Sequence, residues 1–460
     1  MRFYAFASVL LALFPLTASA QAPTPTNLNA TQEPLAIAAA LVFVIAYVLV
    51  IFEERLNLPK SKPMIQAAAV LWVLAALVAA QQDISHQQLQ AAVIHNLSEY
   101  SALFLFMLVA MLYINVLEER HVFESLKSKL VRRGWSYQQL FWATTGIAFC
   151  LSPIADNLTT AMVMGAVVLS VGRQQPKFVT LSCVGIVVAA NAGGVFSPFG
   201  DLTSLMVWQA GKLELPQFLS LLLPALATYV VPACCLALFI PKGRPDTQGH
   251  HISSKRHGRL VCGLFLLTII MALSFETLFG LPAYLGMMTG LSFLFTTTYF
   301  SRRSEPNKHP SQDFNMFSRL AVPEWDTLLF FFGVIHCVGA LAFLGFLSQA
   351  SDFMYGNWGA SATHIIAGVA SAVVDNIPIM FAILTMDPQM SQFQWLLITL
   401  TAGVGGSLLA VGSAAGVALM GSASGYYSFM KHLKWSWAIA LGYGAGIACH
   451  FVINGLLYVP

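Results

Sequence analysis

The sequence predicts an all-α polytopic membrane protein with two inverted-topology repeats. Each repeat is expected to have about five transmembrane helices, a re-entrant helical hairpin and a broken helix. Three observations predict this class. Hydrophobic residues fill 57% of the 460 positions and charged residues only 9%, whereas soluble domains carry about 25% charged residues. The mean hydropathy is +0.71. Apolar stretches long enough to cross a bilayer follow one another, and two sets of motifs recur in the same order.

The chain begins with a targeting pattern. Residues 1–20 combine Arg2, an apolar run and Ala18-Ser19-Ala20, which predicts a cleavable signal peptide; an uncleaved anchor is the alternative. The apolar spans that follow lie at about 33–52, 64–81, 99–117, 137–152, 158–172, 178–210, 217–240, 260–280, 283–300, 326–347, 362–384, 394–421 and 436–457.

Lys and Arg residues predict the orientation of these spans, because cytoplasmic loops of membrane proteins carry an excess of both. If the mature N-terminus and the C-terminus are both periplasmic, every Lys and Arg after Arg2 lies on the cytoplasmic side except Lys212. This topology also places the basic, His-rich linker 241–259 in the cytoplasm. The first half, 33–240, then starts outside, and the second half, 260–457, starts inside.

The two halves carry equivalent motifs, which favours a repeat. The predicted pieces are a hairpin near 137–175 and a broken helix near 178–210 in the first half, and a hairpin near 362–388 and a broken helix near 394–421 in the second. The matched residues are Asp156-Asn157 with Asp375-Asn376, Gly193-Gly194 with Gly405-Gly406, and Gly200 with Gly412. Glycines with Ser, Thr and Pro in mid-span are typical of unwound transmembrane helices.

Asp156, Asp201 and Asp375 lie well inside apolar stretches and define the predicted ion site. An ionisable group at membrane depth costs several kcal/mol unless it lines a cavity or has a partner. Pro153 lacks a backbone donor and disfavours helix at Ser152, so we expect the helix to break there. We expect no Lys or Arg at this depth, so protons or bound Na⁺ must neutralise the three carboxylates. Proton and cation then compete for one site, which is the physical basis of antiport.

Polar side chains near the aspartates are hard oxygen ligands, which suit Na⁺ or Li⁺. The predicted cation- and proton-binding residues are Asp156, Asn157, Asp201, Asp375, Asn376, Asn191, Ser152, Thr159, Thr160, Thr203, Ser204, Ser407 and Ser413. Any one hydroxyl more often bonds a helix carbonyl, so the prediction rests on the group. His95 and Glu99, at the start of a span, are candidates for proton access. No cofactor and no nucleic-acid partner is predicted.

Four motifs resemble those of NhaD-type sodium/proton antiporters, in the ion transporter superfamily. They are SPIADNLTTAMVM from Ser152, NAGGVFSPFGDLTSLMVW from Asn191, SAVVDNIPIMFAIL from Ser371 and TAGVGGSLLAVGSAAGVALMG from Thr401. The resemblance runs from about Glu33 to the C-terminus. It implies Na⁺(Li⁺)/H⁺ exchange across a bacterial inner membrane, a homodimer in the lipid bilayer, and an elevator-like cycle. The motif residues that carry over are Asp156, Asn157, Asn191, Asp201, Asp375 and Asn376.

Two alternatives remain at this point. An arsenite or dicarboxylate carrier of the same superfamily would share the fold, but an Asp at both hairpin tips would repel a bound anion. Neutral arsenite is not excluded by that argument. An intramembrane aspartyl protease would also use two membrane aspartates; its Gly-x-Gly-Asp and Tyr-Asp motifs are absent from the sequence.

Overall fold

The computed structural model describes residues 27–56, 58–131, 133–245, 258–303 and 325–458. The predicted signal peptide and most of the linker 241–259 lie outside the described residues. Over the described ranges the chain forms helices and no strand. Eight of these helices are long and apolar enough to cross a membrane. The prediction of an all-α, multi-pass membrane protein is therefore confirmed.

Nine helices of more than one turn and a half make up the described part of the first half. They are α1 (Pro34–Ile51), α2 (Ser61–Gln81), α3 (His86–Glu119), α4 (Val122–Val131), α5 (Tyr137–Ala155), α6 (Asn157–Gly172), α7 (Pro176–Gly194), α8 (Leu202–Gln209) and α9 (Leu222–Ala237). Shorter helical turns lie at Glu53–Leu56, Leu215–Phe218 and Leu219–Leu221.

The described part of the second half repeats this order. Its helices are α10 (Gly258–Phe279), α11 (Ala283–Arg303), α12 (Trp325–Leu344), α13 (Phe346–Asn357), α14 (Gly359–Val374), α15 (Asn376–Met386), α16 (Gln392–Gly405), α17 (Ala414–Ser422) and α18 (Ser436–Leu457). Shorter turns lie at Gly406–Leu408, Ala410–Gly412 and Phe429–Leu433. Each helix of the first half thus has a counterpart nine helices later.

The packing of the helices follows the same correspondence. Helix α1 packs on α2 as α10 packs on α11, and α5 packs on α7 as α14 packs on α16. Across the halves, α6 packs on α17 and α15 packs on α8. The hairpin of each half is therefore in contact with the short helix that follows the broken segment of the other half. The opposite orientation of the halves in the membrane stays a prediction.

Each hairpin turns on a single aspartate. Asp156 separates α5 from α6 with φ 53° and ψ 164°, and Asp375 separates α14 from α15 with φ 71° and ψ 149°. A non-glycine residue in this conformation costs of order 1–3 kcal/mol, and such residues concentrate at functional sites. The two aspartates share one unusual backbone geometry, so the repeat extends to the dihedral angles at the hairpin tips.

The predicted helix break at Pro153 was wrong. Helix α5 continues through Ser152 and Pro153 to Ala155, and the break falls at Asp156. Proline frees one carbonyl, that of Phe149, in the last turns of the helix. The backbone of Gly193 packs against this carbonyl, where a side chain would clash. The proline-containing turn therefore stays helical and packs closely against the start of the broken segment.

Candidate functional site

The three aspartates line one cavity of about 140 Å³. Asp156 comes from the first hairpin, Asp375 from the second, and Asp201 from the residue before α8. The rest of the cavity wall is largely apolar. Its apolar side chains from α3 and α8 include Phe106, Met107, Met111, Leu202 and Leu205. The fold thus gathers three carboxyl groups that are distant in sequence around one small space.

Asp201 is the residue that connects the two hairpins. Its side chain is buried, with 5% exposure. Oδ1 accepts hydrogen bonds from Asn157 Nδ2 and from Asn376 Nδ2, each at 3.4 Å. Oδ2 accepts from the hydroxyl of Thr203. One carboxylate therefore contacts the residue after the tip aspartate in both halves, so movement of either hairpin changes its surroundings.

A chain of amides extends from Asp201 into the second broken helix. Asn157 Nδ2 also donates to Asn191 Oδ1 at 3.0 Å, and Asn191 Nδ2 donates to Ser407 Oγ at 2.8 Å. Asn191 and Ser407 are both buried. Neither lines the cavity, so these two predicted ligands orient Asn157 from behind and do not face a bound ion.

The tip aspartates also cap the helices that follow them. Asp156 accepts from the backbone N–H of Thr159 at 2.8 Å and from its hydroxyl at 2.9 Å. Asp375 accepts from the backbone N–H of Asn376 at 2.7 Å. The N-terminal ends of α6 and α15 thus lie beside the two carboxylates that cap them.

Glycines allow the broken helices to approach the hairpins closely. A Cβ on Gly193 would lie 3.0 Å from the carbonyl carbon of Phe149, and one on Gly405 would lie 2.6 Å from that of Gly368. Phe149 and Gly368 each precede their tip aspartate by seven residues. The two contacts are therefore equivalent, and a side chain at either glycine would push a hairpin away from the site.

Equivalent serines connect each hairpin to its broken helix. The hydroxyl of Ser152 donates to the carbonyl of Ala190 at 2.6 Å. The hydroxyl of Ser371 lies 2.8 Å from the carbonyl of Gly368 in its own helix and 3.1 Å from that of Ala402 in the broken helix. The sequence interpretation named Ser152 as a ligand and missed Ser371. The signal was available, since both serines precede an Asp-Asn pair by four residues. In the structure both serines hold backbone together and lie outside the cavity.

The structure brings six predicted site residues to the cavity wall. They are Asp156, Asn157, Thr159, Asp201, Asp375 and Asn376. Thr203 supports Asp201 from one side. The remaining hydroxyls contact backbone or lie in the core: Ser204 donates to Val195, Ser413 caps α17, and Thr160 is buried.

Lys60 corrects the expectation that no Lys or Arg lies near the aspartates. It precedes α2 and lines the same cavity as the three aspartates. Its charge interacts with that of Asp375. The sequence placed Lys60 in a cytoplasmic loop, because nothing in its local pattern shows that α2 begins against α12.

His95 and Glu99 line a second and larger cavity, of about 440 Å³. Lys212 and Asp387 also line it and form an ion pair. The two cavities are lined by different residues of the same helices, α3, α8, α12 and α15. On α3, for example, Leu103 lines the larger cavity and Phe106 the smaller, within one helical turn. The aspartates and the candidate proton-access residues thus line two different cavities along the same helices.

Known proteins are similar in sequence to this chain along nearly its whole length. A family model described as "Citrate transporter" matches residues 47–403. A "Na(+)/H(+) antiporter NhaD" of Alkalimonas amylolytica is 48% identical over 98% of this chain and 97% of its own. The protein of the same name from Vibrio cholerae is 46% identical over 96% of this chain and 97% of its own.

This chain belongs to the NhaD antiporter family. A plant protein, "Sodium/proton antiporter 1" of Arabidopsis thaliana, is also similar, with 32% identity over 91% of this chain and 73% of its own. The resemblance seen in the sequence motifs is therefore confirmed. Members of the NhaD family are transporters and not enzymes, so the protease alternative is wrong.

Proposed function

We propose that the protein exchanges Na⁺, and also Li⁺, for H⁺ across a bacterial inner membrane, with both ions competing for the three carboxylates. The observation that carries the proposal is the position of Asp201. Its Oδ1 accepts from an asparagine of each hairpin, inside a cavity that Asp156 and Asp375 also line. The relatives named as Na(+)/H(+) antiporters support the same reaction.

The chemistry of the cavity wall supports a small hard cation as substrate. Carboxylate, amide and hydroxyl oxygens come from Asp156, Asn157, Thr159, Asp201 and Asp375. Such oxygens bind alkali and alkaline-earth cations in preference to soft metals. Without a cation, burial favours protonated carboxyl groups, so the site passes between a cation-loaded and a protonated form.

The arrangement of the two cavities supports alternating access. They lie along shared helices, so movement of the hairpins relative to the rest of these helices would expose the aspartates to the other side. Such an elevator-like movement fits two inverted halves that contact each other through hairpins and broken helices. A homodimer would keep the remaining helices fixed in the bilayer during the movement.

A carrier for citrate, a dicarboxylate or arsenite is the second candidate, and the description of the matching family model favours it. Three carboxylates around a cavity of about 140 Å³ would repel a multiply charged anion. Lys60 offsets only part of that charge. We therefore rank cation exchange first.

Everted membrane vesicles test the proposal directly. Respiration acidifies the vesicles and quenches a pH-sensitive dye; added Na⁺ or Li⁺ should restore fluorescence within seconds, and K⁺ or choline should not. Citrate or arsenite uptake without dequenching would favour the second candidate and contradict cation exchange.

The inverted topology has its own test. A single cysteine placed in the linker 241–259, in a background without native cysteines, should react with a membrane-impermeant maleimide only from the cytoplasmic side. Labelling from the periplasm in intact cells would overturn the proposed orientation and the inversion of the halves.

A further inference from the structure

Lys60 lies where a transported cation would have to bind. It immediately precedes α2, and its side chain lines the aspartate cavity. Among the residues that line this cavity, all within the described part of the chain, it is the one with a basic side chain. The proposed function does not assign it a role. A positively charged group in a cation site needs an explanation, because it repels the substrate.

The surroundings of Lys60 offer its ammonium group two positions. Nζ lies 4.8 Å from the centroid of the Phe330 ring, which is a cation–π contact. Asp375 lines the same cavity as Lys60, so the two opposite charges attract each other. The ammonium is thus held beside the cavity by an aromatic face and drawn towards one of the three carboxylates.

An acidic group on the facing helix contacts the residue that follows Lys60. Asp326, at the start of α12, accepts hydrogen bonds from the hydroxyl of Ser61 and, at 3.3 Å, from the backbone N–H of the same residue. These bonds cap α2 and fix the backbone next to Lys60. Asp326 therefore fixes the backbone beside Lys60, whose side chain lines the same cavity as Asp375.

We propose that Lys60 is a tethered cation that competes with Na⁺ for Asp375 and so sets the affinity of the site. This inference rests on the proposed exchange of Na⁺ for H⁺. When Na⁺ is absent, the ammonium neutralises part of the charge of the three carboxylates. When Na⁺ binds, the ammonium moves back over Phe330. The Na⁺-free site then needs fewer bound protons to be neutral when the hairpins move it to the other side of the membrane.

The competition predicts which substitutions tighten Na⁺ binding. Lys60→Met and Lys60→Gln both remove the charge, one with an apolar and one with a polar side chain. Each should lower the Na⁺ concentration for half-maximal exchange, and the half-saturating ²²Na⁺ concentration in binding assays, about tenfold. Lys60→Arg keeps the charge and should stay within about twofold of the wild type.

Lys62→Met is the matched control. Lys62 lies two residues away, is exposed, and does not line the cavity, so its substitution should leave both Na⁺ concentrations unchanged. The measurements use the full-length protein, purified in detergent for binding and reconstituted in proteoliposomes for exchange. Comparable melting temperatures of the four variants show that the comparison is made between folded proteins.

The possible outcomes separate this inference from the proposed function. If the wild type neither binds ²²Na⁺ nor moves protons with it, the proposed function fails, and the role of Lys60 fails with it. If the wild type exchanges Na⁺ but both neutral variants bind Na⁺ as the wild type does or more weakly, Lys60 does not compete and the inference is overturned. Tighter binding in both neutral variants, with Arg and the Lys62 control unchanged, supports it.

Discussion

The two halves of the molecule have nearly the same backbone at their broken helices and differ in charge. Asp201 precedes α8 with φ −143° and ψ 142°, and Ser413 precedes α17 with φ −144° and ψ 148°. Both residues follow a glycine, Gly200 and Gly412, that packs against the hairpin of its own half. The repeat therefore preserves the shape of this segment, while only the first half places a carboxylate there.

This difference shows how a symmetric fold can build a single site. If both halves carried an aspartate at this position, the centre would hold four carboxylates, two of them from broken helices. With Ser413 in the second half, the side chain caps α17 and lies outside the cavity. Asp201 then takes the central position and receives an asparagine from each hairpin. The symmetric parts supply the framework, and one asymmetric residue supplies the centre.

The largest expected effect comes from removing the charge that distinguishes the halves. Asp201→Asn should lower Na⁺-driven proton movement about a hundredfold or more, because a buried, hydrogen-bonded charge is lost at the point where both hairpins meet. Asp156→Asn and Asp375→Asn should do the same from the hairpin tips. The measurement is dye dequenching in everted vesicles with matched protein levels.

Two substitutions serve as controls for the aspartates. Ser413→Ala changes the counterpart of Asp201 and should keep most of the exchange, with a loss of about 1 kcal/mol in stability from the helix cap. Glu276→Gln removes a carboxyl group of α10 outside both cavities and should behave as the wild type. An aspartate whose Asn variant keeps full exchange must be removed from the site.

The next largest effect concerns the framework that the halves share. Gly193→Ala and Gly405→Ala should each destabilise the protein by about 1–3 kcal/mol, since the new methyl group meets the backbone of a hairpin. Gly421→Ala, with nothing near its added Cβ, should leave stability unchanged. Thermal unfolding in detergent measures all three variants. If only one of Gly193→Ala and Gly405→Ala kept wild-type stability, the two glycine contacts would not be equivalent.

A smaller and equal effect is expected from the paired serines. Ser152→Ala and Ser371→Ala each remove one hydrogen bond from a hairpin to a broken helix, worth about 1 kcal/mol. The melting temperatures should fall by similar amounts, and the Na⁺ dependence of exchange should not change. A large shift in Na⁺ affinity for Ser152→Ala alone would return that residue to the list of ligands.

The sequence was most informative at charged side chains that lie within apolar stretches, because such residues are costly in a membrane. Asp156, Asp201 and Asp375 stand out in apolar stretches, and they line one cavity in the structure. Local pattern was less informative about which hydroxyls face that cavity. Ser152 and Ser204 donate to backbone carbonyls, and such bonds depend on the packing of helices that are distant in sequence.

Two features could not be predicted because tertiary packing determines them. The hairpin turns at Asp156 and not at Pro153, and Gly193 of a helix distant in sequence packs on the carbonyl that the proline frees. Lys60 lies in a basic loop by sequence, and only the packing of α2 against α12 brings it to the cavity. Propensity rules describe the neighbours of a residue along the chain, whereas both of these positions depend on neighbours across the fold.

Competition between Na⁺ and H⁺ for the three aspartates is the central claim, and one measurement tests it most directly. The Na⁺ concentration for half-maximal exchange should be measured in proteoliposomes from about pH 6.5 to 9.5. If the two ions share the site, this concentration should fall by up to about tenfold per pH unit for each proton displaced, and level off once the site is deprotonated. A half-maximal Na⁺ concentration that stays constant over the whole range, while exchange itself continues, would contradict the shared site.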